Sequence, residues 1–207
     1  MRAGTSVTMR MVRTGTLLLL ALAPIGCAKK VTRIDPNSTT DLSGRWNDTD
    51  SRLVADHLIN ESLNAAWVRR YADTHGGEGP AVIVGDFRNE TMEHIPVYTF
   101  VNDLERAMIN SAVVKVVASK HERAEVRDER RDQQFNASAD TRTKMARELG
   151  AKYMLQGTLQ AIEDLEGRDK VVFYQVDATV IDLESNVKIW SGQHKIKKFV
   201  EKPRIRM

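Results

Sequence analysis

The chain predicts a single three-layer-like α/β (α+β) domain, with helices packed on a mixed sheet of about five strands. Three observations carry this expectation. Apolar residues recur at helical spacing in the first half, the closing third alternates apolar and polar residues with a period of two, and Gly- and Asp-rich turns separate the runs.

Taken in order, Asp48, Thr49, Asp50 and Ser51 can each cap a helix by accepting orphan backbone N–H groups. Leu58, Ile59, Leu63, Ala66, Trp67 and Tyr71 then form one apolar stripe, which predicts one amphipathic helix up to the break at Thr74-His-Gly-Gly-Glu-Gly-Pro80. Residues 81–86 are a short apolar run suited to a strand buried on both faces. A second helix starts at Pro96, where a missing N–H costs nothing, and carries Val97, Val101, Leu104 and Met108 on one face. Residues 113–117 read as a second strand.

Ser119 and Glu122 match a capping box, in which each side chain satisfies the other residue's backbone donor. The helix they open, to about residue 134, is charged nearly all round and is therefore solvated. A further helix after Asp140 places Met145 and Leu149 on one face and ends at Gly150, whose freedom at positive φ suits a C-terminal cap. Strands at residues 153–162, 171–181 and 187–199 close the chain, joined by turns at 165–169 and 182–186 as consecutive hairpins. The early strand-helix-strand spacing permits a parallel pair, and the closing meander is antiparallel.

The first 27 residues differ in kind. Arg10 and Arg13 precede the apolar run from Leu17 to Ile25, then a small Gly26 and Cys27, the chain's one cysteine. That order reads as a secretory signal ending in lipid attachment. The run is well short of the roughly 20 residues that a membrane-spanning helix needs. The expected layout is a signal peptide at 1–26, a lipidated Cys27 with a polar linker to residue 41, a globular domain at 42–200 and a basic tail at 201–207. Fully extended, the linker spans about 50 Å at roughly 3.4 Å per residue. Pro24 departs from the bacterial lipobox, which has Leu there. Ala28 is not the aspartate that retains lipoproteins in the inner membrane, which points to the outer membrane.

Arg2, Arg10 and Arg13 leave with the signal, so the 31 basic residues fall to 28 and match the 28 acidic ones. A neutral mature chain lacks the net basic surface that nucleic-acid binding uses. One cysteine permits no intramolecular disulfide, so an apolar core has to suffice.

Catalytic patterns fail on spacing or context. Ser185 and Lys188 match S-x-x-K, but in a hairpin turn and with no K-T-G in the chain. Glu163 and Asp164 are adjacent strand residues, so they point to opposite faces and cannot flank one glycosidic bond. His57, His75, His94, His121 and His194 are scattered without metal-site spacing, Asp48-Thr-Asp50 lacks the rest of a calcium loop, and Gly76-Gly-Glu-Gly79 lacks the lysine of a phosphate loop. No catalytic residue, metal or cofactor is expected. The segment Gly85-Asp-Phe-Arg-Asn-Glu-Thr91 lies at the carboxyl end of the first strand, where open α/β sheets place functional loops. Arg88, Asn89, Glu93 and His94 are accordingly the candidate partner-binding residues.

Three blocks carry a wider likeness: Val82-Ile-Val-Gly-Asp-Phe-Arg-Asn89, Ala146-Arg-Glu-Leu-Gly-Ala-Lys-Tyr-Met-Leu-Gln-Gly157 and Val180-Ile-Asp-Leu-Glu-Ser-Asn-Val-Lys-Ile-Trp-Ser-Gly192. Together with the signal and tether they resemble the LpoB-type activators of penicillin-binding proteins, over about residues 42–200. The second and third blocks are shared with the wider group that includes the TolB amino-terminal domain and CsgG secretion lipoproteins. The resemblance implies a non-enzymatic lipoprotein of the outer membrane that docks on a bifunctional peptidoglycan synthase and stimulates it, regulating cell-wall synthesis and cell shape; a monomer is expected. The alternative is a CsgG-like secretion or assembly lipoprotein, which needs membrane-crossing strand pairs and a ring-shaped oligomer. A wall-degrading enzyme ranks third, for want of an acid, base and nucleophile set.

Overall fold

The computed structural model describes residues 30–136 and 149–201. The expected signal, Cys27, the helix after Asp140 with Met145, and residues 202–207 lie outside the described residues. The chain divides into two units, Met1–Pro36 and Asn37–Met207. In the first, residues 30–36 are exposed and form neither helix nor strand. The second holds all the described elements.

Helix α1 (Asp48–Asn64) is capped one residue earlier than expected: Asn47 accepts from the Asp50 N–H at 3.0 Å, and the Asp50 carboxylate accepts from the Asn47 N–H at 2.9 Å. The single helix expected through Tyr71 is two. Ala65 is extended at φ −71°, ψ 159°, and α2 (Ala66–Thr74) restarts after it. The break turns Trp67 inward, where its indole N–H donates to the Ser62 carbonyl at 2.9 Å and its ring meets Tyr153 edge-on at 5.4 Å. Helical periodicity alone cannot register one extended residue between two helical runs.

Strand β1 (Ala81–Asn89) runs three residues past its expected end. α3 (Val97–Ser111) has Pro96 at its N-cap rather than inside its first turn. β2 shrinks to Lys115–Val116, and α4 (Lys120–Asn136) is the solvated helix that the sequence predicts, buries no residue and opens with the Ser119/Glu122 box. Gly150 is not at positive φ, so the expected left-handed cap is not formed there; Gly76, Gly77 and Gly167 hold that conformation instead.

β3 (Tyr153–Glu166), β4 (Asp169–Asp182) and β5 (Lys188–Val200) form the closing meander. The sheet order is β2-β1-β3-β4-β5, with β1 parallel to both β2 and β3 and the last three strands antiparallel. The parallel pair and the meander are thus as the sequence predicts. On β4, Val172, Tyr174, Val176, Ala178 and Val180 are all 0–1% exposed, while the residues between them are half-buried. α1 packs on α3 and β5, and α3 packs on β1, so the helices cover this alternating face and leave the other to solvent.

One row across the covered face explains two of the block glycines. Phe87, Gly157, Ala178 and Gly192 are consecutive cross-strand partners. A Cβ on Gly157 would lie 2.4 Å from the Phe87 ring, and one on Gly192 would lie 2.4 Å from the Trp190 ring. Each glycine seats an aromatic ring against the backbone.

Candidate functional site

The site is built on a bulge. Val84 pairs with Leu155 and Phe87 with Gly157, so β1 spends three residues where β3 spends two. Val82, Val84, Phe87 and Asn89 therefore face the helices, and Arg88 emerges on the open face of the sheet. Arg88 and Asn89 are strand residues, not the loop residues that the sequence suggested, because hydrogen bonding to β3 continues through Leu159.

The four candidates divide by their bonds. Asn89 is committed locally: its side-chain NH₂ donates to the Glu93 carbonyl at 2.7 Å, and its oxygen accepts from the Thr91 N–H and hydroxyl at 3.0 and 2.7 Å. Glu93 is committed over a long range. Its carboxylate accepts from the Tyr174 hydroxyl at 2.5 Å and from the Trp46 N–H at 3.2 Å. Arg88 and His94 are exposed, with Arg88 3.4 Å from Glu90.

Beside Arg88 the open face forms a groove of about 440 Å³, lined by Asp86, Gln156, Thr158, Asp177, Thr179, Lys188 and Ser191. Its cross-strand rows are Gln156–Thr179–Ser191 and Thr158–Asp177–Gln193. The groove is polar and of mixed charge, suited to hydrogen bonding along a partner's surface. Sequence reading missed these residues. Their signal was the polar half of the same two-residue alternation that located the core.

Behind the corner, a strap of residues 37–47 is fastened to the sheet. Lys198, 12% exposed, donates to Asp41 and to Asp50 at 2.7 Å each and to the Arg45 carbonyl at 3.2 Å. Burial pulls the ammonium pKa down, but the hydrogen bonds to Asp41 and Asp50 outweigh it and leave Lys198 above its ordinary range. The Lys198 and Asn47 bonds in turn hold the Asp41 carboxyl low. The Tyr174 hydroxyl also lies 3.2 Å from the Gly44 carbonyl; burial first, and the Glu93 carboxylate second, push its pKa far up.

The histidines scattered in sequence do meet once: the His57 and His194 rings lie 4.6 Å apart, and burial together with His57 pushes the His194 imidazole down. Among the described residues no three His, Cys, Asp or Glu side chains converge on a metal position. Ser185 sits in the β4–β5 turn, and no described helix is long and apolar enough to cross a membrane.

The model of the family described as peptidoglycan-synthase activator LpoB matches residues 50–196. The chain belongs to the LpoB family. This family is described as an activator of peptidoglycan synthases, and the matched span of this LpoB-family chain contains Arg88, the groove and both ring-seating glycines. The strap residues 37–47 and Lys198 lie outside it. Among solved structures, the chain is similar to the LpoB C-terminal domain from Escherichia coli at 17% identity, covering 72% of this chain and 99% of that one, with a TM-score of 0.44. It is also similar to an NMR structure of E. coli LpoB at 16%, covering 95% and 96%, with a TM-score of 0.40. The LpoB C-terminal domain from Salmonella enterica matches at 18%, covering 74% and 99%, with a TM-score of 0.38. No curated protein matches.

Proposed function

We propose that this chain is a monomeric outer-membrane lipoprotein, anchored through Cys27, that binds a bifunctional penicillin-binding protein and activates its peptidoglycan synthesis without chemistry of its own. The family match over residues 50–196 carries the reading. The corner supports a contact surface: Arg88 opens from β1 onto the polar groove, and His94 is exposed just past the turn that Asn89 holds. Activation is a population shift, in which a partner with higher affinity for the active synthase conformation raises its fraction. A tenfold stimulation requires a preference of about 1.4 kcal/mol, within reach of a few polar contacts on a prearranged sheet.

The test is reconstitution. Purified mature chain added to the synthase should speed glycan polymerisation and cross-linking, and Arg88→Glu should reduce the stimulation while leaving the thermal midpoint unchanged. Full stimulation by Arg88→Glu would remove the corner from the reading, and absent binding with no stimulation would sink the function. Radiolabelled palmitate should enter the wild-type chain and not Cys27→Ser, and the label should fractionate with the outer membrane.

A further inference from the structure

Glu93, which the sequence suggested as a partner contact, is turned inward. Between β1 and α3 the chain exposes Met92 and His94, while Glu93 is half-buried and Ile95 is buried. With Glu93 and Ile95 held inside, the two neighbours of Glu93 are left outside. Its backbone is tied to the end of β1: the Glu93 N–H donates to the Thr91 hydroxyl at 3.1 Å, and its carbonyl accepts from the Asn89 side-chain NH₂ at 2.7 Å. Glu90 is fixed on the same corner by Gln160 of β3, whose side-chain NH₂ donates to it at 2.9 Å.

The Glu93 carboxylate, by contrast, belongs to the strap. One oxygen accepts from the Trp46 N–H at 3.2 Å and the other from the Tyr174 hydroxyl at 2.5 Å, and that hydroxyl lies 3.2 Å from the Gly44 carbonyl. Strap, β4 and corner therefore meet at one point. The Trp46 ring packs edge-on against Tyr174 at 5.5 Å, and its indole N–H donates to the Ser51 hydroxyl at 2.8 Å. Further along, Asp41 accepts from Lys198 at 2.7 Å and from the Asn47 side chain at 2.6 Å, and the Arg52 guanidinium donates to the Asn37 carbonyl at 3.2 Å. Lifting the strap would leave Glu93 with one of these two donors. A part-buried carboxylate short of donors turns toward water, and the backbone that carries His94 turns with it.

We propose that the strap and the corner open and close together, with Glu93 the positioning residue that couples them, so that a closed strap holds the corner in its partner-binding form. This regulation rests on the reading of the corner as the partner contact. Coupling is reciprocal: what the strap adds to partner affinity, the partner returns as protection of the strap. One hydrogen bond to a charged acceptor is enough to change the open fraction about tenfold.

The variant Asp41→Ala loosens the strap through its bonds to Lys198 and Asn47, leaving Glu93 and the Lys198–Asp50 pair in place. By hydrogen exchange on the purified mature chain, the Thr91 and Glu93 amides should exchange about tenfold faster in Asp41→Ala, together with residues 37–47. The Gly77 amide, bonded in the turn before β1, should not change. In wild type, bound synthase should slow exchange in residues 37–47; in Glu93→Ala it should not. Asp41→Ala should also raise the Kd for the synthase about fivefold or more, with stimulation at saturation unchanged. A freed strap with unaltered Thr91 and Glu93 amides would overturn the proposal. So would synthase protection of the strap that survives Glu93→Ala, since it marks direct contact. Where Asp41→Ala leaves the strap closed, Lys198→Met with Asp50→Asn frees it, and the same criteria apply. Wild-type affinity with a freed strap overturns the coupling to binding; wild-type affinity in Arg88→Glu as well would instead remove the corner reading.

Discussion

Replacing Lys198 with methionine keeps the aliphatic stem and removes the ammonium that ties the strap to the sheet. The Asp50 carboxylate, 4% exposed, would keep the Asn47 N–H and lose its cation at 2.7 Å. Breaking a buried pair from one side costs about 3–5 kcal/mol. The low end applies, because Asp41 is 48% exposed and can return to water. The expected loss is about 3 kcal/mol, or about 6–12 °C in Tm for a domain of this size. Urea and thermal denaturation measure it, and hydrogen exchange should show residues 37–47 losing protection before the sheet does. Adding Asp50→Asn should recover at least about 1 kcal/mol relative to the sum of the single changes, since it removes the stranded charge. A Lys198→Met protein within about 0.5 kcal/mol of wild type, with an equally protected strap, would refute the reasoning.

Gly157→Ala would force a methyl within 2.4 Å of the Phe87 ring and 2.3 Å of the Asp177 carbonyl, and should cost about 1–3 kcal/mol by urea denaturation. Tyr174→Phe removes a donor from the Glu93 carboxylate and should cost about 1–2 kcal/mol in the same assay. For pH, Asp41 titrates below its ordinary 3.8 in the fold, so its contribution is present above about pH 4 and is lost as pH falls through the lowered value. Lys198 and Tyr174 titrate above their ordinary 10.5 and 10.0, so theirs are complete below those values and decay as pH rises past them. Thermal melts should accordingly show an alkaline fall beginning near pH 10, shallower in Lys198→Met and in Tyr174→Phe. Ala112 ends α3 at φ 54°, a conformation that disfavours a Cβ, so Ala112→Gly should raise stability by about 0.5–1 kcal/mol, read as an upward shift in Tm.

The candidate corner was half legible. Its position beside the end of β1 follows from strand and turn signals, and the exposure of Arg88 and His94 accords with their chemistry. That Glu93 anchors the strap was not legible, because its partners Trp46, in the strap, and Tyr174, on β4, are 47 and 81 residues away. The groove was hidden for a related reason: Gln156, Thr179 and Ser191 look like ordinary solvent-facing residues until three strands align them.

Sequence alone determined the type and order of the described elements, apart from the division of the first helix into two, since helix periodicity, the Ser119/Glu122 box and the alternation from Val172 to Val180 are read within a few residues. It determined the charge balance and the single cysteine as well. Tertiary structure decided the break at Ala65, the bulge between Val84 and Phe87, the rings seated on Gly157 and Gly192, and the clamp from Lys198 to Asp41. Those two partners are 157 residues apart. Apart from Trp190 on Gly192, which lie on one strand, these features depend on contacts between distant segments, so their energy exists only once the chain has closed on itself, and no local window of residues contains it.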